Sequence, residues 1–164
     1  MATLSPDGRR GERGQAVVEL ALTLPLLLLV VLGVFDFGLM FERFEVVTNA
    51  AREGARMGVL PDYTTGQAET HAGNYLTAGG VPASVIVHGS CPATGGLTPD
   101  RACTSVTEQD ITLSTTPTKT VKVIVSTVSF DHQHVFVGPI AQLFGGSLGT
   151  TRLLAVSKMR KEAS

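Results

Sequence analysis

Glu19 is a lone carboxylate at the head of a leucine-rich run. Residues 20–35 carry no charge and hold eight Leu, three Val and one Phe. An acidic side chain costs about 2.5–3.5 kcal/mol at a bilayer centre and less near an end, so an ionisable residue in such a run marks a function by default. Asp36 closes the same run and is the second residue whose placement costs energy; it reads as a group at the membrane interface. Asp131-His132-Gln133-His134 puts two imidazoles at period two, on one side of an extended chain. Metal or acid–base chemistry there needs a further partner. None stands at an obvious spacing, and the segment reads as a solvated turn, just as His71 reads as a surface imidazole. Cys91 and Cys103 lie twelve residues apart in a segment rich in Gly, Pro and Thr. Two thiols so separated lack the close pairing of a zinc site. Outside the cytoplasm they are expected to form a disulfide, and closing so short a loop contributes about 3 kcal/mol. No Ser-His-Asp order, phosphate loop or paired-Cys signature stands out. We therefore expect no catalytic residue, no metal site and no cofactor.

These residues depend on a few elements for their positions. Residues 16–35 as a helix span about 30 Å, the thickness of a bilayer's hydrocarbon core. The twelve large apolar side chains at 20–35 contribute about −4 to −7 kcal/mol to insertion, more than Glu19 opposes. Pro25 lies within the run and removes one amide donor, which membrane helices tolerate. Arg9, Arg10 and Arg13 precede the run in a short polar leader without apolar periodicity, which is expected to be disordered. Their charge places the N-terminus in the cytoplasm and the chain after about residue 40 outside. A cleaved secretory signal is disfavoured, because the run exceeds a usual signal core and ends in Val34-Phe35-Asp36-Phe37 with no small-x-small site.

Past the membrane the helical pattern continues. Phe37, Phe41, Phe44, Val47 or Thr48, Ala51 and Ala55 recur at three- and four-residue spacing, opposite Glu42, Arg43, Glu45, Asn49, Arg52, Glu53 and Arg56. A sheet of the same chain or neighbouring copies must cover that stripe. Ala50, Ala51, Gly54, Ala55 and Gly58 allow close backbone approach. Pro61 ends the helix near residue 57. Thr64-Thr65-Gly66-Gln67 fits a capping box opening a short helix that stops at Gly79-Gly80. Strands are expected at 84–88, 110–114, 119–130 and 151–159, with a loop at 89–104, a turn at 115–118 and a short apolar helix at 137–144.

The chain has 164 residues and a net charge of −1, so overall charge gives no case for nucleic-acid binding. About a hundred residues remain after the long helix, enough for one small domain. The fold expected is α+β. A long membrane-spanning helix packs its outer half on a small antiparallel sheet of about four strands with one or two short helices. The divisions are a basic cytoplasmic leader (1–14), the long helix (15–57) and an extracytoplasmic domain (58–164).

Gly14 followed by Gln15-Ala-Val-Val-Glu19 resembles a type IV prepilin cleavage site. The run Arg-Gly-Gln-Ala-Val-Val-Glu-Leu-Ala-Leu-Thr-Leu-Pro-Leu-Leu-Leu-Leu, with Asp36-Phe37-Gly38 and Asn49-Ala-Ala-Arg-Glu-Gly-Ala-Arg56, is similar to the TadE/TadG-like proteins of tight-adherence (Flp-type) pili. The resemblance covers residues 9–57. Leu20 departs from it, standing where such proteins usually carry Phe or Tyr. It implies a non-catalytic pseudopilin or minor pilin of the inner membrane, cut between Gly14 and Gln15 by a prepilin peptidase. Its implied partners are that peptidase, other pilins and pseudopilins of the Tad system, and membrane lipid. Glu19 becomes an assembly contact, pairing with the new amine at Gln15 of a neighbour. The alternative is a signal-anchored extracytoplasmic binding domain with no pilus role.

Overall fold

In a computed structural model the described residues are 8–92, 96, 98–115, 117–143, 145–146 and 149–161, with only the backbone described at 8–13 and 115. One helix, α1, runs from Gly8 to Val59 without interruption at Pro25. At 1.5 Å per residue its 52 residues reach about 78 Å. Residues 1–7 of the leader lie outside the described residues. Residues 8–14 were expected to be disordered with them and are helical instead, as suits the good helix formers Arg9, Arg10, Glu12 and Arg13. Every residue from Gly14 to Val31 is exposed, and the outer half of the helix carries the rest of the chain.

Helix α2 (Thr65–Ala78) starts at the expected capping box: the Gln67 amide donates to Thr64 Oγ1 at 3.3 Å, and the Thr64 amide donates to Gln67 Oε1 at 2.9 Å. Four strands follow, β1 (Ile86–His88), β2 (Ala102–Thr115), β3 (Thr118–Gln133) and β4 (Thr150–Arg160), with α3 (Val137–Leu143) between the last two. Their order in the sheet is β1-β2-β3-β4.

The sheet is mixed, not antiparallel throughout. β2, β3 and β4 pair antiparallel, whereas β1 pairs parallel to β2 with Ile86 opposite Ala102. With three residues, β1 is only about 10 Å long, so the link between His88 and Ala102 can return to the start of the next strand without a helix. The link is held by a disulfide from Cys91 to Cys103 (Cα–Cα 5.6 Å), and Cys103 lies on β2, not in the loop. The strand at 110–114 is the far end of a longer one. It joins β3 through a tight turn after Thr115, with a register shift between Thr112 and Ser114.

Small residues decide how α1 meets the sheet. Val47, Ala50 and Ala51 pack with Ala72, Leu76, Val81, Ala102, Val128, Phe130 and Leu153, and Met57 packs with Ala68, Val106 and Ile124. A Cβ on Gly54 would stand 2.6 Å from Ser126 Oγ, and one on Gly58 2.7 Å from Ile124 Cγ2. The expected apolar stripe is therefore only half right. Val47, Ala51 and Ala55 are buried, but Phe37, Phe41 and Phe44 face outward, 52%, 61% and 44% exposed. A phenyl ring on the sheet side would hold the two backbones apart where the glycines let them touch. Arg43, expected on the polar face, is half-buried and donates from Nη1 to the Gly79 carbonyl at 2.7 Å.

Candidate functional site

The residues expected to carry function fall into two places. Gly14, Gln15 and Glu19 sit on the bare part of α1, all exposed. No atom outside the helix backbone comes within 4 Å of a Cβ built on Gly14. The Glu19 carbonyl accepts a hydrogen bond from Thr23 Oγ1 at 2.9 Å, but its carboxylate has no partner among the described residues. Gln15 and Glu19 are four apart and share a helix face. Among the described residues α1 alone is long and apolar enough to cross a membrane.

The second place is a buried joint between α1 and the far end of β3. Asp36 is fully buried, not interfacial. Its Oδ1 accepts from the Val135 amide at 3.0 Å and its Oδ2 from the Val137 amide at 2.9 Å. The carboxylate thus takes two amide donors from the segment that leads into α3, about a hundred residues away, and fixes the rotation of α1 against the distal domain. Asp131-His132-Gln133-His134 is correspondingly not a solvated turn: β3 runs on to Gln133, and His132 and His134 are 6% and 8% exposed. His134 Nδ1 lies 3.5 Å from Asp36 Oδ2, while its Nε2 meets Thr151 Oγ1 at 2.9 Å. The two imidazoles stand edge to face, with centroids 5.2 Å apart. Burial pushes the His132 imidazole below its usual pKa, and the neighbouring His134 adds to this against the pull of Asp36 and Asp100. Asp36, His132 and His134 each offer a ligand atom, and these atoms all lie within 4.8 Å of one another.

Asp131, on the other side of β3, anchors the disulfide loop. Arg152 of β4 donates from Nε and Nη2 to its two oxygens at 2.7 and 2.9 Å, and the Thr98 amide adds a third bond. Burial alone would raise the Asp131 carboxyl; the Arg152 bonds and the Thr98 amide outweigh it and hold the group below its usual pKa. The same guanidinium donates to the Pro92 and Gly96 carbonyls, so one arginine ties the loop to the sheet.

Sequence reasoning singled out Asp36 and the His pair separately and missed that they meet. Two costly polar groups, each without a local partner, were the only signal. The Asp131–Arg152 pair had none, since Arg152 is one of several basic residues on an alternating strand.

No curated protein and no solved structure matches the chain significantly. Residues 14–56 match the family model described as TadE-like protein, which supports a component related to the tight-adherence pilus. The match covers α1 from Gly14 to Arg56, and over that segment the chain is similar to TadE-like proteins.

Proposed function

We propose that this chain is a minor pilin or pseudopilin of a tight-adherence pilus, without catalytic activity of its own. Residues 1–14 are a cytoplasmic leader, 15–57 the anchor and stalk, and 58–164 the extracytoplasmic domain of a single-pass inner-membrane protein. A prepilin peptidase cuts between Gly14 and Gln15. Other pilins and pseudopilins of the same system then pack against the bared helix. The observation that carries this reading is Glu19, an exposed carboxylate without a partner among the described residues, at the head of a bare apolar run. The run inserts with or without it, so the charge serves a contact between chains. The group that answers it is the Gln15 amine of a neighbour, which exists only after cleavage and offsets the cost of a carboxylate in lipid. The disulfide suits the outward topology, since such bonds persist in oxidising compartments.

The test compares wild type, Gly14→Asp, Glu19→Leu and Glu19→Asp in a host that makes the pilus. Gly14→Asp should retain the full-length mass. Glu19→Leu should reach the membrane at wild-type level yet fail to co-purify with pilins or support piliation, with Glu19→Asp intermediate. A processed mass for Gly14→Asp, or full piliation with Glu19→Leu, refutes the reading and leaves a plain signal-anchored domain.

A further inference from the structure

The Asp36–His132–His134 joint is incomplete as a hydrogen-bonded unit. Two buried ring nitrogens, His132 Nε2 and His134 Nδ1, have no hydrogen-bond partner among the described residues. The neutral imidazole carries one proton. If His134 holds it on Nε2, toward Thr151 Oγ1, then Nδ1 presents a lone pair to Asp36 Oδ2 at 3.5 Å, two acceptors face to face. If the proton is on Nδ1, 3.5 Å is too long for a good N–H···O bond, and none forms. A cation between the groups resolves both cases.

We propose that Asp36, His132 and His134 bind a divalent transition-metal ion of the Zn²⁺ class. Ligands about 2.0–2.1 Å from a tetrahedral ion stand about 3.3 Å from each other. The His134 Nδ1 to Asp36 Oδ2 separation already has that value within a few tenths of an ångström, and the 4.8 Å limit on the whole set requires only a small inward turn of a ring. Two imidazoles and one carboxylate are a donor set suited to Zn²⁺ and its neighbours, not to Mg²⁺ or Ca²⁺, which take all-oxygen shells. Partners beyond the ligands are in place: Thr151 Oγ1 on the far nitrogen of His134, and the Val135 and Val137 amides on Asp36. An ion has a way in, because His132 also lines a cleft of about 340 Å³ with Leu39, Val81, Asp100 and Val135. Arg43 lines it too and keeps its positive charge while donating from Nη1 to the Gly79 carbonyl; Asp100 in the same cleft and Asp36 at the joint set two negative charges against it. The ion's role is structural: it joins the last turn above the membrane to β3 and so fixes the distal domain on its stalk. The site stands whether or not the chain serves a pilus.

The experiment uses the untagged full-length chain in detergent micelles, stripped with chelator and dialysed against Zn²⁺. One equivalent should be retained against a competing chromophoric chelator. Excess Zn²⁺ at a hundredfold Kd should move the folding equilibrium about a hundredfold toward the native state. His132→Gln and His134→Gln should lose the equivalent, while His71→Gln and His88→Gln keep it. Retention unchanged in His132→Gln and His134→Gln, or no retention in wild type, overturns the proposal. Where a variant does not fold, Co²⁺ in the wild-type chain decides. Intense tetrahedral d–d bands support the site, and the pale spectrum of the hydrated ion overturns it.

Discussion

Asp36 carries a connection that can be measured by deletion. Its carboxylate is fully buried and accepts the Val135 and Val137 amides at 3.0 and 2.9 Å. A hydrogen bond to a charged group contributes about 1.5–3 kcal/mol, and a buried donor left without a partner costs about 1–3 kcal/mol. In Asp36→Ala both amides lose their acceptor. Water entering from the adjacent cleft recovers part of the loss, so about 3 kcal/mol should remain. That is a large part of the 5–15 kcal/mol that holds an ordinary domain. Asp36→Asn should cost about half as much, because its amide oxygen can accept one donor while its NH₂ group faces the other. The assay is chemical denaturation in micelles with chelator present, so that no metal contributes. Hydrogen exchange at Val135 and Val137 should quicken in step with the lost stability, while α2 amides far from the joint change less. A cost under about 1 kcal/mol for Asp36→Ala, or unchanged exchange at the two amides, would show that Asp36 does not hold the joint, and the argument for the rotation of α1 would fall with it.

Two further outcomes follow from the packing. In Gly58→Ala the new methyl group stands 2.7 Å from Ile124 Cγ2 and 3.3 Å from Val106 Cγ1, both side chains buried. Overpacking of about 1–3 kcal/mol should exceed the gain of about 1 kcal/mol in helix propensity and lower the Tm, whereas Gly66→Ala, which meets nothing within 4 Å, should not. In Arg152→Ala the Asp131 carboxylate, 3% exposed, keeps the Thr98 amide and loses both guanidinium bonds. The loss should be about 3 kcal/mol, and a double-mutant cycle with Asp131→Asn should return much of it.

What the sequence made legible was local. The apolar run, the capping box at Thr64–Gln67, the tight hairpin and the alternating final strand each declare themselves within a few residues, and each stands where expected. The Cys pair was readable because only one pairing was open to it. Three features were not readable, for different reasons. Strand polarity of β1 depends on the path of a loop, and three residues carry no sign of direction. The joint of Asp36 with β3 unites residues about a hundred positions apart, beyond any periodicity. The covered face of α1 was ambiguous because Phe37, Phe41 and Phe44 fall on the same three- and four-residue spacing as Ala51 and Ala55. Volume, not hydrophobicity, decides how much of that stripe is covered: Ala50, Ala51, Gly54, Ala55 and Gly58 let the sheet approach, and the large rings lower on the helix stay outside.

That choice bears on assembly. Within one chain the sheet occupies the small-residue side, so the phenylalanines stay outside, where they extend the exposed apolar surface of residues 14–35 along α1. A domain resting on a plain anchor gains nothing from three exposed rings, since large exposed apolar patches mark contact surfaces. In the proposed pilin the same rings would continue the surface on which neighbouring helices stack, with Glu19 setting the register at the lower end. Glu19 and the phenylalanines lie on one uninterrupted helix, which fixes them relative to each other; the Asp36 bonds to the Val135 and Val137 amides fix where the distal domain sits around that helix, and so keep it off the ring-bearing face. The Asp36 variants should therefore weaken co-purification with pilins only in proportion to the stability they lose at the joint.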